Sequence, residues 1–200
     1  MREHIAVWSR ILTVTETIFF AVLLFISPAY AGQSGQGQIS PDFDIQRQIL
    51  RGFQIAPVRL DLYGKDVSLV GLGSYIVNTT GCNDCHTHPN WAAGGNPYLG
   101  QPEQVNAAEY LAGGREFTTP AGTFTSANIT PDHYDRPAGL TLAGFLEVMR
   151  YGHDPRDPPG VLLQVMSWPL YRWKTDQELR AIYEYLTAIP SLRDNPNPGP

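Results

Sequence analysis

The residues of this sequence with the clearest chemistry lie together in one short stretch, GCNDCHTHPN, from Gly81 to Asn90. Both cysteines of the chain, Cys82 and Cys85, lie there, and His86 follows the second cysteine directly. On one turn of helix, positions i, i+3 and i+4 share a face. The spacing therefore directs two sulfur atoms and one imidazole toward a single object.

A haem fits this arrangement of Cys82, Cys85 and His86. Its two vinyl groups can form thioethers with the cysteines, while the histidine that follows reaches the iron, and C-x-x-C-H is the pattern of c-type haem attachment. The motif occurs once in the sequence. We therefore expect one covalently bound haem c per chain, with His86 as an axial ligand of its iron.

Three other chemistries use paired cysteines and stay open at this point. A disulfide between Cys82 and Cys85 is permitted outside the cytoplasm, but closing so short a loop restricts the unfolded chain very little. A thioredoxin-like redox pair belongs to a βαβ context, which this sequence does not predict. A zinc site needs two further ligands. The histidines available for it, none of them in a second paired motif, are His88, His133 and His153.

The N-terminus predicts export. Basic residues precede a hydrophobic run from Ile18 to Ile26, and Ala29-x-Ala31 has the small-x-small pattern of a signal-peptidase site. We expect a signal peptide over residues 1–31, cleaved after Ala31, which leaves a periplasmic protein without a stable membrane anchor. The alternative is an uncleaved anchor, which needs about 20 apolar residues, whereas Glu16 interrupts this segment.

The second axial ligand of such a haem decides its function, and the sequence favours Met166. This methionine lies in VLLQVMSWPLYRW, a loop closed by Pro169, and the chain between it and His86 is long enough to travel around a haem. Met149 lies on the apolar stripe of a predicted helix, where packing explains it. His88 is too close to His86 to reach the opposite face of the ring. The remaining candidates, for which we expect solvent exposure, are His133 and His153.

Helical signals surround the motif, whereas strand signals are weak throughout. One helix is predicted directly before the cysteines, where Gly71 and Gly73 would allow another element to approach closely. A second helix is predicted to begin at Thr141, and a capping box of Thr175 and Glu178 begins the last one. The sequence therefore predicts a mostly α fold.

Irregular structure is predicted elsewhere. Residues 50–66 mix apolar residues with Pro57 and favour a packed extended arm over a helix. Turns fill residues 97–138, and a loop of this length is usually functional or wrapped around something. The expected organisation is a signal peptide over 1–31, a flexible leader and N-terminal arm over 32–65, one domain over 66–190 and a C-terminal tail over 191–200.

Three stretches together resemble bacterial class I c-type cytochromes: C-x-x-C-H after LGSYIV, the loop GTFTSANITPD, and the C-terminal VMSWPLYRWKTDQELRAIYEYL. Within that class, they look most like the cytochrome domains in the haem subunits of membrane-bound alcohol and sugar-acid dehydrogenases. The resemblance covers residues 66–190. Those subunits usually carry several C-x-x-C-H motifs, whereas this monohaem chain carries one.

The resemblance implies the cytochrome c fold, in which helices and long loops wrap around one covalently bound haem. It implies that the first and last helices cross beside the haem. Gly71 and Gly73 would then provide a close contact that Tyr183 or Leu186 fills.

The resemblance also implies roles for residues in the loops. It gives Met166 the position of the axial methionine, with Ser167 where such proteins often have proline. Asn128 and the turn around it would line the haem edge, although ordinary turn chemistry explains this asparagine equally well.

An iron with His86 and Met166 as axial ligands has no vacant site for a substrate, so its chemistry is electron transfer. We expect a carrier, not an enzyme, that takes electrons from a dehydrogenase and passes them to a respiratory acceptor such as an oxidase or another cytochrome. The alternative is a haem enzyme or small-ligand sensor with an open or labile sixth position. The net charge of −5, without a basic stripe, argues against a nucleic-acid partner.

Overall fold

The computed structural model describes residues 41–195, and helices dominate this part of the chain. This range contains the helices α1 (Pro41–Ile55), α2 (Val67–Thr79), α3 (Cys82–His86), α4 (Leu142–Tyr151), α5 (Trp168–Tyr171) and α6 (Asp176–Ala188), and the strands β1 (Glu116–Thr119) and β2 (Gly122–Thr125). The mostly α fold class is confirmed, and the arrangement is compatible with a cytochrome c-like fold. The signal peptide expected over residues 1–31 lies outside the described residues. Between residues 41 and 195, no helix has both the length and the apolar character needed to cross a bilayer.

Helices α2 and α6 pack in close contact at Gly73. A Cβ placed on Gly73 would lie 1.9 Å from the Ala181 carbonyl oxygen and 2.7 Å from Tyr185 Cβ, so only glycine permits this approach. The expected contact between these helices is present, but Ala181 and Tyr185 make it instead of Tyr183 or Leu186. Ala181 and Tyr185 are four residues apart and therefore share one face of α6.

Helix α1 corrects the expectation of an extended arm over residues 50–66, because the first part of that segment is helical. Pro57 restricts only the residue directly before it, so the helix upstream can form. The backbones of α1 and α2 meet where Gly52 lies against Gly71, and a Cβ on Gly52 would lie 1.9 Å from the Gly71 carbonyl oxygen. The Ser74 hydroxyl donates to the Gly52 carbonyl at 2.7 Å. Gly71 thus serves the contact with α1, not the one with α6.

A buried hydrogen-bond network joins α2, α6 and the loop before the hairpin. The Tyr110 hydroxyl donates to Asn78 Oδ1 at 2.7 Å and lies 2.9 Å from the Tyr185 hydroxyl. Both tyrosine side chains are almost fully buried. Because each buried hydroxyl has a partner, the network fixes the loop on the helix pair without the cost of an unsatisfied polar group.

The predicted helix ends are present at α4 and α6. Thr141 caps α4 by accepting from the Gly144 backbone N–H, and Gly152 ends the helix in the left-handed region at a φ of 70°. Thr175 and Glu178 form the capping box of α6, with both reciprocal bonds in place. These caps satisfy backbone groups that would otherwise be unpaired at the helix ends.

The chain after α6 returns to the long loop that precedes α4. The Asn195 backbone N–H donates to the Ala112 carbonyl at 3.2 Å, and the Asn128 side-chain amide donates to the Leu192 carbonyl at 2.9 Å. Residues 191–195, which we expected to form part of a tail beyond the domain, are therefore hydrogen-bonded to the domain. The remaining domain boundaries stay predictions.

Candidate functional site

Helix α3 carries the cysteine motif and is fixed at both ends. It begins after Gly81, whose φ of 82° lies in the left-handed region that favours glycine. At its end, the buried Thr87 hydroxyl donates to Asn83 Oδ1 at 2.5 Å and accepts from the Leu111 backbone N–H at 2.9 Å. The thiols of Cys82 and Cys85 are free, so the disulfide alternative is not formed in this structure. The motif therefore lies on a short helical turn whose C-terminal end is hydrogen-bonded to the loop that contains Leu111.

A cavity of about 230 Å³ opens beside α3, and its lining is mostly apolar. All four side chains that the sequence singled out for haem attachment and iron ligation line it: Cys82, Cys85, His86 and Met166. Most of the rest of the wall comes from α4, α5 and α6, from Val77 of α2, from the hairpin, from the turn around Ala127 and from the segments before α4 and α5. The fold thus brings to one apolar space residues that lie up to 84 positions apart in sequence (166 − 82).

The His86 ring is oriented by the backbone. Its Nδ1 lies 2.7 Å from the Ala127 carbonyl oxygen. A carbonyl oxygen only accepts, so Nδ1 carries the proton and Nε2 keeps a lone pair. Burial lowers the pKa of His86, which favours the neutral ring that a metal ligand requires. The neutral imidazole can therefore coordinate a metal ion through the Nε2 lone pair.

The two thiols are held in their neutral form. Burial raises the pKa of Cys82, although the Thr80 hydroxyl and the Lys174 ammonium act in the opposite direction. Burial also raises the pKa of Cys85, against the effect of the Arg115 cation. Raised pKa values argue against a thiolate nucleophile or a preformed zinc site. Within residues 41–195, no three His, Cys, Asp or Glu residues come together in a way that would hold a metal ion.

The cavity contains two thioethers instead of one. Met166 lies in the loop between α4 and α5, where the Trp168 backbone N–H donates to its carbonyl at 2.8 Å. Met149 is 3% exposed and belongs to the core, as expected, but its side chain also lines the cavity. The helix position that explains its burial therefore does not remove it as a ligand candidate. The histidines proposed as alternative ligands do not line the cavity; these are His88, His133 and His153.

The expectation that Asn128 lines the haem edge is wrong for its side chain. Its amide donates to the Leu192 carbonyl and to Asp194, at 2.9 and 3.2 Å, and it lines a neighbouring cleft. Its neighbours Ala127 and Ile129 line the cavity instead. The ordinary turn role accounts for this asparagine because its Oδ1 also accepts from the Thr130 backbone N–H.

The residues present fit a haem c. Two free thiols on one face of a short helix, an imidazole with a free Nε2 lone pair and a thioether from a distant loop are the donor set of that group. The apolar wall suits a large hydrophobic ring. Nothing about the cavity requires a different cofactor.

Relatives of this chain are cytochrome subunits of dehydrogenases. The chain is 31% identical over 120 residues to the cytochrome c subunit of alcohol dehydrogenase (quinone) from Gluconobacter oxydans (strain 621H), covering 60% of this chain and 21% of that protein. It is 27% identical over 129 residues to the fructose dehydrogenase cytochrome subunit of Gluconobacter japonicus, covering 64% and 23%. For the gluconate 2-dehydrogenase cytochrome c subunit of Pantoea cypripedii, the identity is 29% over 118 residues, covering 59% and 22%.

This chain is related to cytochrome c subunits. The resemblance seen in the sequence is confirmed to that extent, whereas the monohaem class I assignment stays a prediction. The matched part spans about a fifth of the length of those relatives. No family model matches the chain, and no solved structure matches it.

Sequence reasoning missed several side chains of the cavity wall. Phe117 and Phe124 reach it from the hairpin, and Tyr171 reaches it from α5. The aromatic pair had a detectable signal, because FTTPAGTF places two phenylalanines symmetrically about a Pro-Ala turn. Tyr171 had none, since its role depends on a hydrogen bond to Thr80, far away in sequence.

Proposed function

We propose that this chain is an electron-transfer protein that carries one haem c. Cys82 and Cys85 form the thioethers, and His86 and Met166 are the axial ligands of the iron. The observation that carries the proposal is that these four side chains, chosen from the sequence, line one apolar cavity.

The haem, when bound, supplies one-electron chemistry through its iron. The chain itself supplies orientation, because the hydrogen bond from Nδ1 to the Ala127 carbonyl fixes the plane of the His86 ring. The apolar wall excludes water, which limits solvent access to the metal. With protein ligands on both sides, the chain offers no coordination site to a substrate, and this favours a carrier over an enzyme.

The redox partners follow from the relatives, which are dehydrogenase subunits by name. We propose a dehydrogenase as the electron donor and a respiratory protein, such as an oxidase or another cytochrome, as the acceptor. The periplasmic location rests on the predicted signal peptide. Mass spectrometry of the exported protein should therefore find a chain that begins at Gly32, whereas a chain that keeps Met1 in membrane extracts would favour an anchor.

Haem attachment is tested by acid-acetone extraction and a pyridine haemochrome spectrum of the exported protein. We expect one haem per chain, retained by the protein after extraction. Cys82→Ala or Cys85→Ala should strongly reduce the yield of haem-bearing protein. Asp84→Ala is the matched control, because Asp84 lies exposed between the two cysteines and should leave attachment unchanged. Release of the haem from the wild-type protein by acid-acetone would overturn the thioether assignment.

The small-ligand alternative is tested by carbon monoxide. A reduced iron with two protein ligands should not bind it at neutral pH, so the visible spectrum should not change. Ready binding by the wild-type protein would favour the sensor or enzyme.

A further inference from the structure

The β-hairpin presents two aromatic rings to the cavity. In the antiparallel pairing of β1 and β2, Phe117 lies directly opposite Phe124. Side chains at opposed positions point to the same face of a two-stranded sheet. Both rings are half-buried, and both line the cavity.

The opposite face of the hairpin is polar and faces solvent. Thr118 and Thr123 are also opposed, and their hydroxyl oxygens lie 3.4 Å apart on the exposed side. Within residues 41–195, no other helix or strand packs against β1 or β2. The apolar inner face of the hairpin therefore lies against the cavity.

The hairpin is attached at its base to the helix that carries the cysteines. The Arg115 guanidinium donates to the Asp84 carbonyl at 2.6 Å and lies 5.4 Å from the centroid of the Phe117 ring. At the open end of the ladder, the Ser126 backbone N–H donates to the Arg115 carbonyl at 2.8 Å, and the Arg115 backbone N–H donates to the Ser126 hydroxyl oxygen at 2.9 Å. At the other end, the side-chain hydrogen bonds stay within the turn between Thr119 and Gly122, and this turn is exposed. The hairpin is thus held at one end, beside the thiols.

We propose that this hairpin is a cover for the haem, in which Phe117 and Phe124 pack on the bound group and exclude water from it. The inference rests on the proposed haem site. An isolated two-stranded hairpin is marginally stable in water and needs packing on an apolar surface. The haem supplies this surface, so the hairpin and the haem stabilise each other. Removing the rings should admit water to the surroundings of the haem, which favours the ferric state and lowers the reduction potential.

The test compares two double variants of the full-length exported protein. Phe117→Ala with Phe124→Ala removes the inner rings, and Thr118→Ala with Thr123→Ala removes side chains of the same hairpin from the outer face. We expect the phenylalanine variant to retain one haem per chain but to show a lower midpoint potential in a spectroelectrochemical titration. Its hairpin amides should exchange with solvent about tenfold faster or more. The threonine variant should match the wild type in both measurements.

A milder variant keeps the test decisive if the alanine variant does not fold. Phe117→Leu with Phe124→Leu retains apolar side chains and should give smaller shifts in the same directions. If the haem is present but both phenylalanine variants keep the wild-type potential and amide protection, the cover is wrong and the haem proposal stands. If the wild-type protein carries no haem, both proposals fail together.

Discussion

The two sides of the cavity are built on different principles. The scaffold side, made of α2 and α6, packs against itself: Val70 and Leu179 are fully buried, and Gly73 lets the two backbones touch. The loop side, made of the hairpin, the turn at residues 126–129 and the loop at residues 152–167, directs apolar side chains at the cavity instead. The scaffold side is thus stabilised by its own packing, whereas the apolar side chains of the loop side are available to the proposed haem.

Because of this difference, substitutions on the two sides should have different effects. A change on the scaffold side should lower the free energy of unfolding whether or not a haem is bound. A change on the loop side should alter the spectrum, the potential or the ligand access of the haem, with a smaller effect on the global fold. The helix that carries the thiols lies between the two sides, since α2 ends at Thr79 just before it and the His86 ring contacts the Ala127 carbonyl of the loop side.

The largest effect is expected at the helix contact. Gly73→Ala would place a Cβ 1.9 Å from the Ala181 carbonyl oxygen, and two packed backbones have no cheap way to separate. Overpacking of this kind should lower the free energy of unfolding by about 3 kcal/mol or more. Urea unfolding followed by circular dichroism measures the loss.

The control for this change is the same substitution in a less crowded helix. Gly144→Ala in α4 would meet Pro155 Cγ at 3.3 Å and Leu140 and Thr141 at 3.6 Å, and alanine is the better helix former by about 1 kcal/mol. Its free energy of unfolding should stay within about 1 kcal/mol of the wild-type value. Equal losses for the two variants would contradict the close crossing of α2 and α6.

The next largest effect distinguishes the two methionine side chains of the cavity, one from a loop and one from a helix. Met166 comes from the loop side and Met149 from helix α4. Met166→Ala should abolish the weak far-red band of a ferric haem with a thioether ligand, open the iron to carbon monoxide and lower the potential, because the ferrous state loses a soft ligand. Met149→Leu conserves volume and should cost less than about 1.5 kcal/mol of stability with the band intact. Loss of the band in the leucine variant, with retention in Met166→Ala, would transfer the ligand role to Met149.

The contrast between the two sides also explains which features could be predicted from the sequence. The C-x-x-C-H motif and the caps of α4 and α6 were predictable, because each depends on residues within one helical turn of each other. Helix α1 was missed because its position depends on the close contact of Gly52 with Gly71 in α2. No local sequence pattern encodes that contact. The general location of Met166 was accessible, but the presence of Met149 in the same cavity was not.

Long-range polar contacts were equally hidden from the sequence. For Asn128, a place at the haem edge and an ordinary turn role were equally open, and its side chain binds the segment near Leu192, 64 residues away. The Tyr110 hydroxyl reaches Tyr185 over 75 residues. Turn-forming residues have several partners available locally, so their sequence neighbours do not select among them.

A smaller effect is expected where the loop side is joined to the scaffold side. The Tyr171 hydroxyl donates to the Thr80 carbonyl at 3.0 Å and so ties α5, just after Met166, to the end of α2. Tyr171→Phe removes this bond and should cost about 1 kcal/mol, or about 3 °C in the melting temperature. The far-red band should also be lost at a lower temperature than in the wild type, because the methionine loop is less firmly held.

Tyr98→Phe is the matched control for this bond, since the Tyr98 side chain is 88% exposed. It should leave both the melting temperature and the thermal loss of the band unchanged. Equal behaviour of the two variants would show that the Tyr171 hydroxyl does not link the methionine loop to α2.

The smallest effect is electrostatic and depends on pH. Hydrogen bonds from the Arg136 guanidinium, at 2.7 and 2.9 Å, together with backbone N–H donors, lower the pKa of Asp132 to about 2. Because the folded-state pKa is depressed, the stabilisation is complete above the unfolded-state pKa of about 3.9 and is lost as the pH falls through about 2. Asp132→Asn should therefore be less stable than the wild type by a constant amount between pH 5 and pH 8, roughly the range above the acid transition. The difference in urea midpoint should shrink between about pH 4 and about pH 2. Arg136→Gln removes the other partner and should reproduce this pH dependence, whereas a difference that stays unchanged down to the acid limit would show that the ionised Asp132 carboxylate is not what Arg136 stabilises.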